Sequence, residues 1–508
     1  MELLSNLWLG LQVAAEPITL LYCFGGVLLG TVVGVLPGIG ALAAISLLLP
    51  LTYHMPPTSA IIMLAGVYYG AQYGGSTASI LLNLPGTPSS AVTCLDGYPM
   101  AKKGKAGLAL FVTTIASLAG AMSGLVLLVL FSPAIAEVGL KFGPAEFFSM
   151  MVLGLVAASS MTAGSAAKGL SMVVFGLLLG MVGTDVNSGV ARFSFDVPEL
   201  MDGINLIALA MGLFGVAEVV RCINSADMDR KPEKVALKSM VPSREEFRAT
   251  LKPMARGSAL GSALGALPGV GPSIAAFMAY AIEKKMAKDP DRFGHGAIEG
   301  ITAPESANNA AAQTAFVPSL SLGIPGDAVM AVMLGALIIH GIQPGPMLIT
   351  EQPQLFWGLV VSFAIGNIML VVLNLPTIGL WVALLRIPFA WMYPAILVFV
   401  ALGVYSVNNN TFDIFSVAAL GIMGYALMVL RFEPAPLLLG YILGPMLEEN
   451  LRRSLLLSRG DPMVFIERPI SAGLLAVTLL LLLWAVWSTV RATLRSRRQL
   501  ALAQQASA

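Results

Sequence analysis

Long apolar segments follow one another along most of this chain of 508 residues, separated by short polar connections. Segments 108–131, 356–375 and 470–490 are examples, and each has the roughly 20 residues that a helix needs to cross about 30 Å of hydrocarbon. They lack the alternating pattern, about 10 residues per segment, that is typical of membrane-spanning strands. The pattern therefore predicts a bundle of membrane-spanning helices.

Composition supports this interpretation, because 57% of the residues are hydrophobic and only 11% are charged, whereas a soluble domain has about 25% charged residues. We predict an all-α polytopic membrane protein with about ten to twelve membrane segments, including broken helices or re-entrant hairpins. The net charge of +1 gives no indication of nucleic-acid binding. The three cysteines have no metal-ligand spacing, so no metal site is expected.

Two of the apolar runs are interrupted in the same way. The sequence "GVLPGIG" at 34–40 matches "GALPGVG" at 265–271, 231 positions later, and "NLPGTP" at 83–88 matches "GIPGDA" at 323–328, 240 positions later. Two Pro-Gly breaks in the same order and at similar spacing predict an internal duplication.

Loop charges indicate how the two copies are oriented, since cytoplasmic loops are enriched in Lys and Arg. In the first copy the basic residues follow the second break, and in the second copy they follow the first break; they are Lys102, Lys103 and Lys105, and Lys284, Lys285, Lys288 and Arg292. We therefore predict two inverted-topology repeats. Residues 1–220 would form the first half, 221–256 a cytoplasmic linker, 257–468 the second half, and 469–508 a final membrane helix of open orientation with a basic cytoplasmic tail.

The breaks predict a substrate site. A proline ends one helical segment and favours the start of another, whose first N–H groups are unpaired and attract anions. Paired breaks in two halves of a transporter are the best sequence pointer to its binding site. The candidate substrate-binding residues at and beside the breaks are Pro37, Gly38, Gly40, Tyr73, Gly75, Ser76, Thr77, Asn83, Pro85, Gly86, Thr87, Pro268, Gly269, Gly271, Asn308, Asn309, Pro325 and Gly326.

Charged and hydroxyl side chains beside the breaks predict coupling to a cation. Ionisable groups at membrane depth are costly and usually functional. Glu305, Asp327 and Thr314 are the candidates, with Na⁺ or H⁺ as the coupling ion. For the glycine ladders Gly30/Gly34 and Gly257/Gly261/Gly265 we predict instead close helix packing.

Several long motifs resemble a known family. They are "GVLPGIGALAAISLLLPLTY", "YYGAQYGGSTASILLNLPGTPSS", "DGYPMAKKGKAG", "FGPAEFF", "EGITAPESANNAAA", "VPSLSLGIPGDAVMAVMLGAL" and "LRRSLLLSRGD". Together they are similar to the large membrane subunit of bacterial tripartite tricarboxylate transporters, from about residue 17 to 465. The family's motif positions here are the break residues above, with Gly74.

The resemblance implies a secondary transporter of the bacterial inner membrane that has two partners. One is a small membrane subunit of about four helices, and the other is a periplasmic solute-binding protein that delivers a carboxylate such as citrate. A Na⁺ or H⁺ gradient would drive uptake. The resemblance fixes neither the carboxylate nor whether the transporter moves by an elevator or a rocking mechanism, and it leaves a homodimer open.

Two other function classes stay open at this point. A channel would need a continuous polar pore, and an intramembrane enzyme would need a paired acid, for which Glu305 with Asp327 is the only conceivable pair. The sequence has no HExxH motif, Walker loop or Ser/His/Asp set, so we expect no enzyme and no cofactor beyond the coupling ion.

Overall fold

A computed structural model describes residues 2–36, 40–139, 141–159, 166–185, 188–223, 237–267, 270–385 and 389–484. Helices dominate these residues, and the predicted all-α polytopic fold is confirmed. A two-stranded antiparallel hairpin pairs β1 (Gly183–Thr184) with β2 (Ala191–Arg192). The helices of the first half are α1 (Glu2–Ala14), α2 (Pro17–Val35), α3 (Gly40–Thr52), α4 (Pro57–Leu82), α5 (Thr93–Met100), α6 (Ala106–Gly139), α7 (Pro144–Ser159), α8 (Ala166–Gly180), α9 (Leu206–Ala210) and α10 (Ala217–Ile223).

The second half continues with helices of similar length. They are α11 (Arg244–Gly265), α12 (Gly271–Met286), α13 (Glu299–Thr314), α14 (Phe316–Leu322), α15 (Ala328–Ile339), α16 (Leu348–Glu351), α17 (Pro353–Asn374), α18 (Ile378–Leu384), α19 (Phe389–Asn408), α20 (Thr411–Val429), α21 (Pro434–Leu457) and α22 (Val464–Glu467). Short 3₁₀ turns occur at Pro88–Ala91, Pro198–Leu200, Leu237–Met240 and Pro290–Arg292, and π-helical turns at Ala101–Lys105 and Met211–Val216.

Four helical stretches of the described residues are long and apolar enough to cross a membrane: Pro17–Val35, Thr93–Phe131, Pro353–Asn374 and Thr411–Val429. Shorter apolar helices include Gly40–Thr52, Ala328–Ile339 and Pro469–Trp484. The chain is therefore a multi-pass membrane protein. The predicted total of ten to twelve segments stays a prediction.

The chain divides into two compact units. The first contains Met1–Leu140 and Asn205–Ala426, and the second contains Lys141–Ile204 and Leu427–Ala508. In the second unit α21 packs on α7 and α8, and Arg452 bonds Asp185 at 3.0 Å and also bonds Glu448. Every predicted site residue falls in the first unit.

Prolines and left-handed caps set many helix ends. Pro17 and Pro57 begin α2 and α4, where the missing N–H of proline breaks no hydrogen bond. Helix α4 ends at Asn83, which has a left-handed backbone (φ 59°), and α14 ends at Gly323 with nearly the same conformation (φ 64°). These two caps lie 240 residues apart, the spacing predicted for the second pair of breaks.

Glycine ladders bring two helix pairs into close contact. A β-carbon at Gly26, Gly30 or Gly34 of α2 would collide with successive carbonyl oxygens of α4, which belong to Met63, Val67 and Ala71. The equivalent glycines of α11 meet α13 in the same way, with Gly257, Gly261 and Gly265 against Ala303, Ala307 and Ala311. The predicted packing role of the ladders is confirmed. The contacts keep spacings of 231 and 240, which supports the duplication, whereas the inversion stays a prediction.

The predicted linker 221–256 lies partly outside the described residues. Its described C-terminal part forms the start of α11, which has Ser243 as its N-cap and runs without a break to Gly265. The Ser243 hydroxyl accepts from the Glu246 N–H at 3.2 Å, and the Glu246 carboxylate accepts from the Ser243 N–H at 3.0 Å. This reciprocal capping explains why the polar stretch and the glycine ladder share one helix.

Candidate functional site

The first break of each copy ends in the same backbone conformation. Gly40 and Gly271 open α3 and α12 with left-handed backbones (φ 66° and 64°), which disfavour any residue with a β-carbon. Pro37, Gly38, Pro268 and Gly269 lie outside the described residues. The flanking geometry is therefore repeated 231 residues apart, as the duplicated motif predicts.

The second breaks also correspond. Thr87 is the N-cap of the 3₁₀ turn Pro88–Ala91, and Asp327, 240 residues later, is the N-cap of α15. The Asp327 carboxylate accepts a hydrogen bond of 2.8 Å from the Met330 N–H. Both positions satisfy N–H groups at a new helix start with a side-chain oxygen, or place one beside them.

The elements that follow the four breaks pack crosswise between the copies. Helix α3 of the first copy contacts α15 of the second, and α12 of the second copy contacts the 3₁₀ turn of the first. Within the second copy, a β-carbon on Gly271 would come within 3.2 Å of the Asp327 Cβ, and within the first, one on Gly86 would strike the Gly34 carbonyl oxygen. The four breaks are thus gathered into one region of the first unit.

A charged pair indicates how deep this region lies. Arg256 of α11 donates to Glu283 of α12, with Nη2 to Oε2 at 2.7 Å, so the two helices run back along each other from their break. Arg256 is 38% exposed, and a charged pair belongs near the membrane surface. From this pair to the break, α11 rises about 14 Å and α12 about 18 Å at about 1.5 Å per residue. Both distances are close to half of the ~30 Å hydrocarbon layer.

Asp327 is held from the other copy. The Tyr68 hydroxyl of α4 donates a hydrogen bond to Asp327 Oδ2, while Oδ1 caps α15. Both carboxylate oxygens therefore have donors, and the carboxylate fixes the start of α15 against α4.

A second polar group surrounds the break of the first copy. Gln72 Oε1 of α4 accepts from the hydroxyls of Ser89 at 2.7 Å and Thr87 at 3.3 Å. A β-carbon on Gly75 would approach Thr87 Oγ1 to 2.9 Å, so only glycine leaves the hydroxyl this close to α4. All of these polar side chains are buried.

Glu305 lies in a separate polar group centred on α13. Its Oε1 accepts from the Thr93 hydroxyl of α5 at 2.6 Å, and its Oε2 from the Ser117 hydroxyl of α6 at 3.5 Å. Asn309 donates to Ser117 Oγ at 2.8 Å. In the described part of the chain, no Lys, Arg or His side chain forms an ion pair with Glu305 or Asp327.

Helix α13 also carries buried polar atoms that have no hydrogen-bond partner. They are both amide atoms of Asn308, Oδ1 of Asn309 and Nε2 of Gln313. Asn308 and Asn309 are each only 1% exposed. An unpaired buried polar group costs about 1–3 kcal/mol, so such a set points to a polar ligand.

Other predicted residues are placed differently. The Tyr73 hydroxyl donates to Asn367 of α17 at 3.0 Å, so it is directed at a packed helix. Thr314 donates to the Ala310 carbonyl of its own helix at 3.0 Å. Ser76 and Thr77 are buried in α4, whereas Asn83 and Pro85 are exposed, and Pro325 and Gly326 are buried. The predicted roles of all these residues stay untested.

Three residues that contact the candidate acids were not among the predicted site residues: Tyr68, Thr93 and Ser117. Tyr68 stands one turn before Gln72 in the quoted motif, and could have been found as a polar residue next to a break. Thr93 and Ser117 have no such signal. The described residues contain no group of three or more His, Cys, Asp or Glu side chains placed to hold a metal ion.

Comparison with known proteins gives one family and two relatives. The sequence model of the tripartite tricarboxylate transporter TctA family matches residues 20–439. An uncharacterised 52.8 kDa protein in the TAR-I ttuC' 3' region of Agrobacterium vitis is 52% identical over 491 residues, which are 97% of this chain and 98% of that protein. A protein in the TAR-II ttuC' 3' region of the same organism is 54% identical over 218 residues, 43% of this chain and 90% of its own length. No solved structure matches.

Proposed function

Because the chain belongs to the tripartite tricarboxylate transporter TctA family, we propose that it is the large permease subunit of a binding-protein-dependent, cation-coupled system that imports an organic carboxylate. Its partners would be a small membrane subunit of about four helices and a periplasmic solute-binding protein, and it would work in the bacterial inner membrane. The observation that carries the proposal is the crosswise packing of the elements that follow the four Pro-Gly breaks.

The breaks offer donors to an anion without a basic side chain. Helices α3, α12 and α15 each start at a break, and the first N–H groups of a helix carry a partial positive charge of about half an electron. Carboxylates bind readily at such ends. The hydroxyls of Thr87 and Ser89 stand beside them and add further donors.

Transport of a multiply charged anion needs compensation of its charge. A co-transported cation would supply it, and the Glu305 carboxylate, which has no basic partner among the described residues, is the group that we assign to that cation. The substrate site near the membrane midplane could then be exposed to one side at a time, as inverted-repeat transporters do. Elevator and rocking movements would both meet this requirement.

Counterflow in proteoliposomes containing both membrane subunits and the binding protein tests the proposal. A ligand screen on the binding protein first names the carboxylate. We then expect exchange of labelled carboxylate that depends on Na⁺ or pH, whereas ungated conductance or chemical turnover of the carboxylate would contradict a transporter.

Site variants connect the activity to the breaks. Asp327→Ala and Asn309→Ala should abolish uptake while leaving folded protein in the membrane. Asn450→Ala is the matched control, because Asn450 donates to the carbonyl four residues earlier at 2.8 Å, as Asn309 does at 3.0 Å, but belongs to the second unit. Full uptake by both site variants would remove the proposed site.

A further inference from the structure

We infer that α13 carries a Na⁺ site, distinct from the carboxylate site at the breaks, formed by Glu305, Asn308 and Asn309 with Thr93 of α5 and Ser117 of α6. This inference rests on the proposed function, since it names the coupling ion and its ligands. Hard cations such as Na⁺ take oxygen ligands, and the group offers carboxylate, amide and hydroxyl oxygens.

The unpaired amide oxygens are the first argument. Asn308 lies next to the Glu305 carboxylate but makes no hydrogen bond of normal geometry, and the Oδ1 of Asn309 is also unpaired. Because both amide atoms of Asn308 lack a partner, an oxygen stays free in either orientation of that amide. Two acceptor oxygens on consecutive residues, each buried and beside a carboxylate, are suited to a ligand that accepts electrons from both.

Charge is the second argument. Glu305 is only 1% exposed, and no basic side chain of the described residues pairs with it. A buried carboxylate without a counter-charge is strongly unfavourable. One monovalent cation neutralises one carboxylate, whereas a divalent ion would need a second acid, and Asp327 is engaged elsewhere by Tyr68 and Met330.

The unpaired oxygens also distinguish Na⁺ from a proton. A proton on Glu305 can donate to one acceptor only, which leaves the second amide oxygen unpaired. A cation can be coordinated by several oxygens at once, and the hydroxyls of Thr93 and Ser117 are already held at the same carboxylate. The geometry therefore favours Na⁺ as the ion.

The duplication assigns the site to one copy. At the spacing of 240 that relates α4 to α13, positions 305, 308 and 309 correspond to Ala65, Tyr68 and Tyr69. Tyr68 serves as a donor to Asp327, and the tyrosine pair lacks the amide oxygens of α13. We therefore expect one Na⁺ at this position per chain and no second, symmetry-related one.

Thermal unfolding of the purified full-length chain in detergent tests the site without any transport step. At equal ionic strength, NaCl should raise the unfolding midpoint saturably over choline chloride, because a ligand that binds only the folded state stabilises it by mass action. Glu305→Gln and Asn309→Ala should lose this Na⁺-dependent shift, and Ser117→Ala should need more Na⁺ to reach it.

Two control variants should keep the shift. Glu283→Gln changes another buried glutamate, one that pairs with Arg256, and Asp327→Asn removes the other candidate acid but retains an N-cap side chain. A Na⁺ shift that persists in Glu305→Gln, or is absent from the wild-type chain, would overturn the inference. So would a midpoint that responds to acidification instead of Na⁺ and loses that response in Glu305→Gln.

Transport and binding can fail separately. A Na⁺ shift that depends on Glu305, in a chain that shows no carboxylate counterflow, supports this site and refutes the proposed function. Carboxylate counterflow in a chain whose midpoint ignores Na⁺ supports the proposed function and refutes this site.

Discussion

The hydroxyl of Tyr68 hydrogen-bonds the carboxylate of Asp327, a residue 259 positions later in the chain. Tyr68 belongs to the long helix α4 of the first copy, and Asp327 caps α15 at the second break of the other copy. This bond therefore links a helix body to the start of a helix at the candidate substrate site. It fixes α15 in two directions, because the same carboxylate also accepts from the Met330 N–H.

We predict that Tyr68→Phe lowers the initial rate of carboxylate uptake without reducing the amount of folded protein in the membrane. The substitution removes one donor to a buried carboxylate, which costs about 1–3 kcal/mol, while the ring volume is retained. Tyr69→Phe is the matched control, because the neighbouring hydroxyl contacts only Cys23 Sγ, at 4.0 Å. Equal uptake rates in the two variants would contradict a role for the bond in transport.

A second prediction concerns helix packing. Gly30→Ala should lower the free energy of unfolding by about 1–3 kcal/mol, because the new β-carbon would collide with the Val67 carbonyl and force α2 away from α4. Gly25→Ala on the same helix meets nothing within 4 Å, so alanine should be neutral there or stabilise by up to about 1 kcal/mol. Unfolding of both variants in detergent checks this; a similar effect of the two changes would argue against close packing.

The breaks and ladders could be predicted from sequence because each leaves a local signature. Pro-Gly pairs stop helices by their own chemistry, and glycines four residues apart indicate close helix contact. Ser117 could not be predicted in this way. Hydroxyls in apolar helices usually bond the carbonyl four residues earlier, as Thr113 bonds Ala109 in the same helix α6. Only the tertiary fold shows that Ser117 turns toward Asn309 and Glu305 instead.

A third prediction concerns Asp96, which joins α5 to the connection between α12 and α13. Its buried Oδ1 accepts from the N–H groups of Gly294, Gly296 and Ala297 at 2.7–2.9 Å, and Oδ2 accepts from Tyr280 at 3.0 Å. Asp96→Ala would leave three N–H groups without their acceptor, and we expect a loss of more than about 3 kcal/mol, visible as low yield of folded protein.

Two further substitutions separate the contributions at this connection. Asp96→Asn keeps a carbonyl oxygen for the backbone donors and should be milder than Asp96→Ala, since only the charge and the bond from Tyr280 are lost. Asp291→Asn changes an exposed acid of the same connection and should leave the yield unchanged. If Asp96→Ala and Asp291→Asn give equal yields, the carboxylate does not hold this connection.

The last prediction tests the hairpin that places the α11–α12 break at half the membrane depth. Glu283 is 5% exposed at its side chain and Arg256 is 38% exposed, although they form one ion pair. Arg256→Ala should therefore destabilise the chain more than Glu283→Ala, because the first change leaves a buried carboxylate unpaired, whereas the second leaves a cation that reaches solvent. In a double-mutant cycle, the coupling should be about 1 kcal/mol, reduced by the exposure of Arg256. Unfolding midpoints of the two single variants and the double variant in detergent measure both quantities. Additive effects would show that the pair does not join the two helices, and would withdraw the argument for the depth of the break.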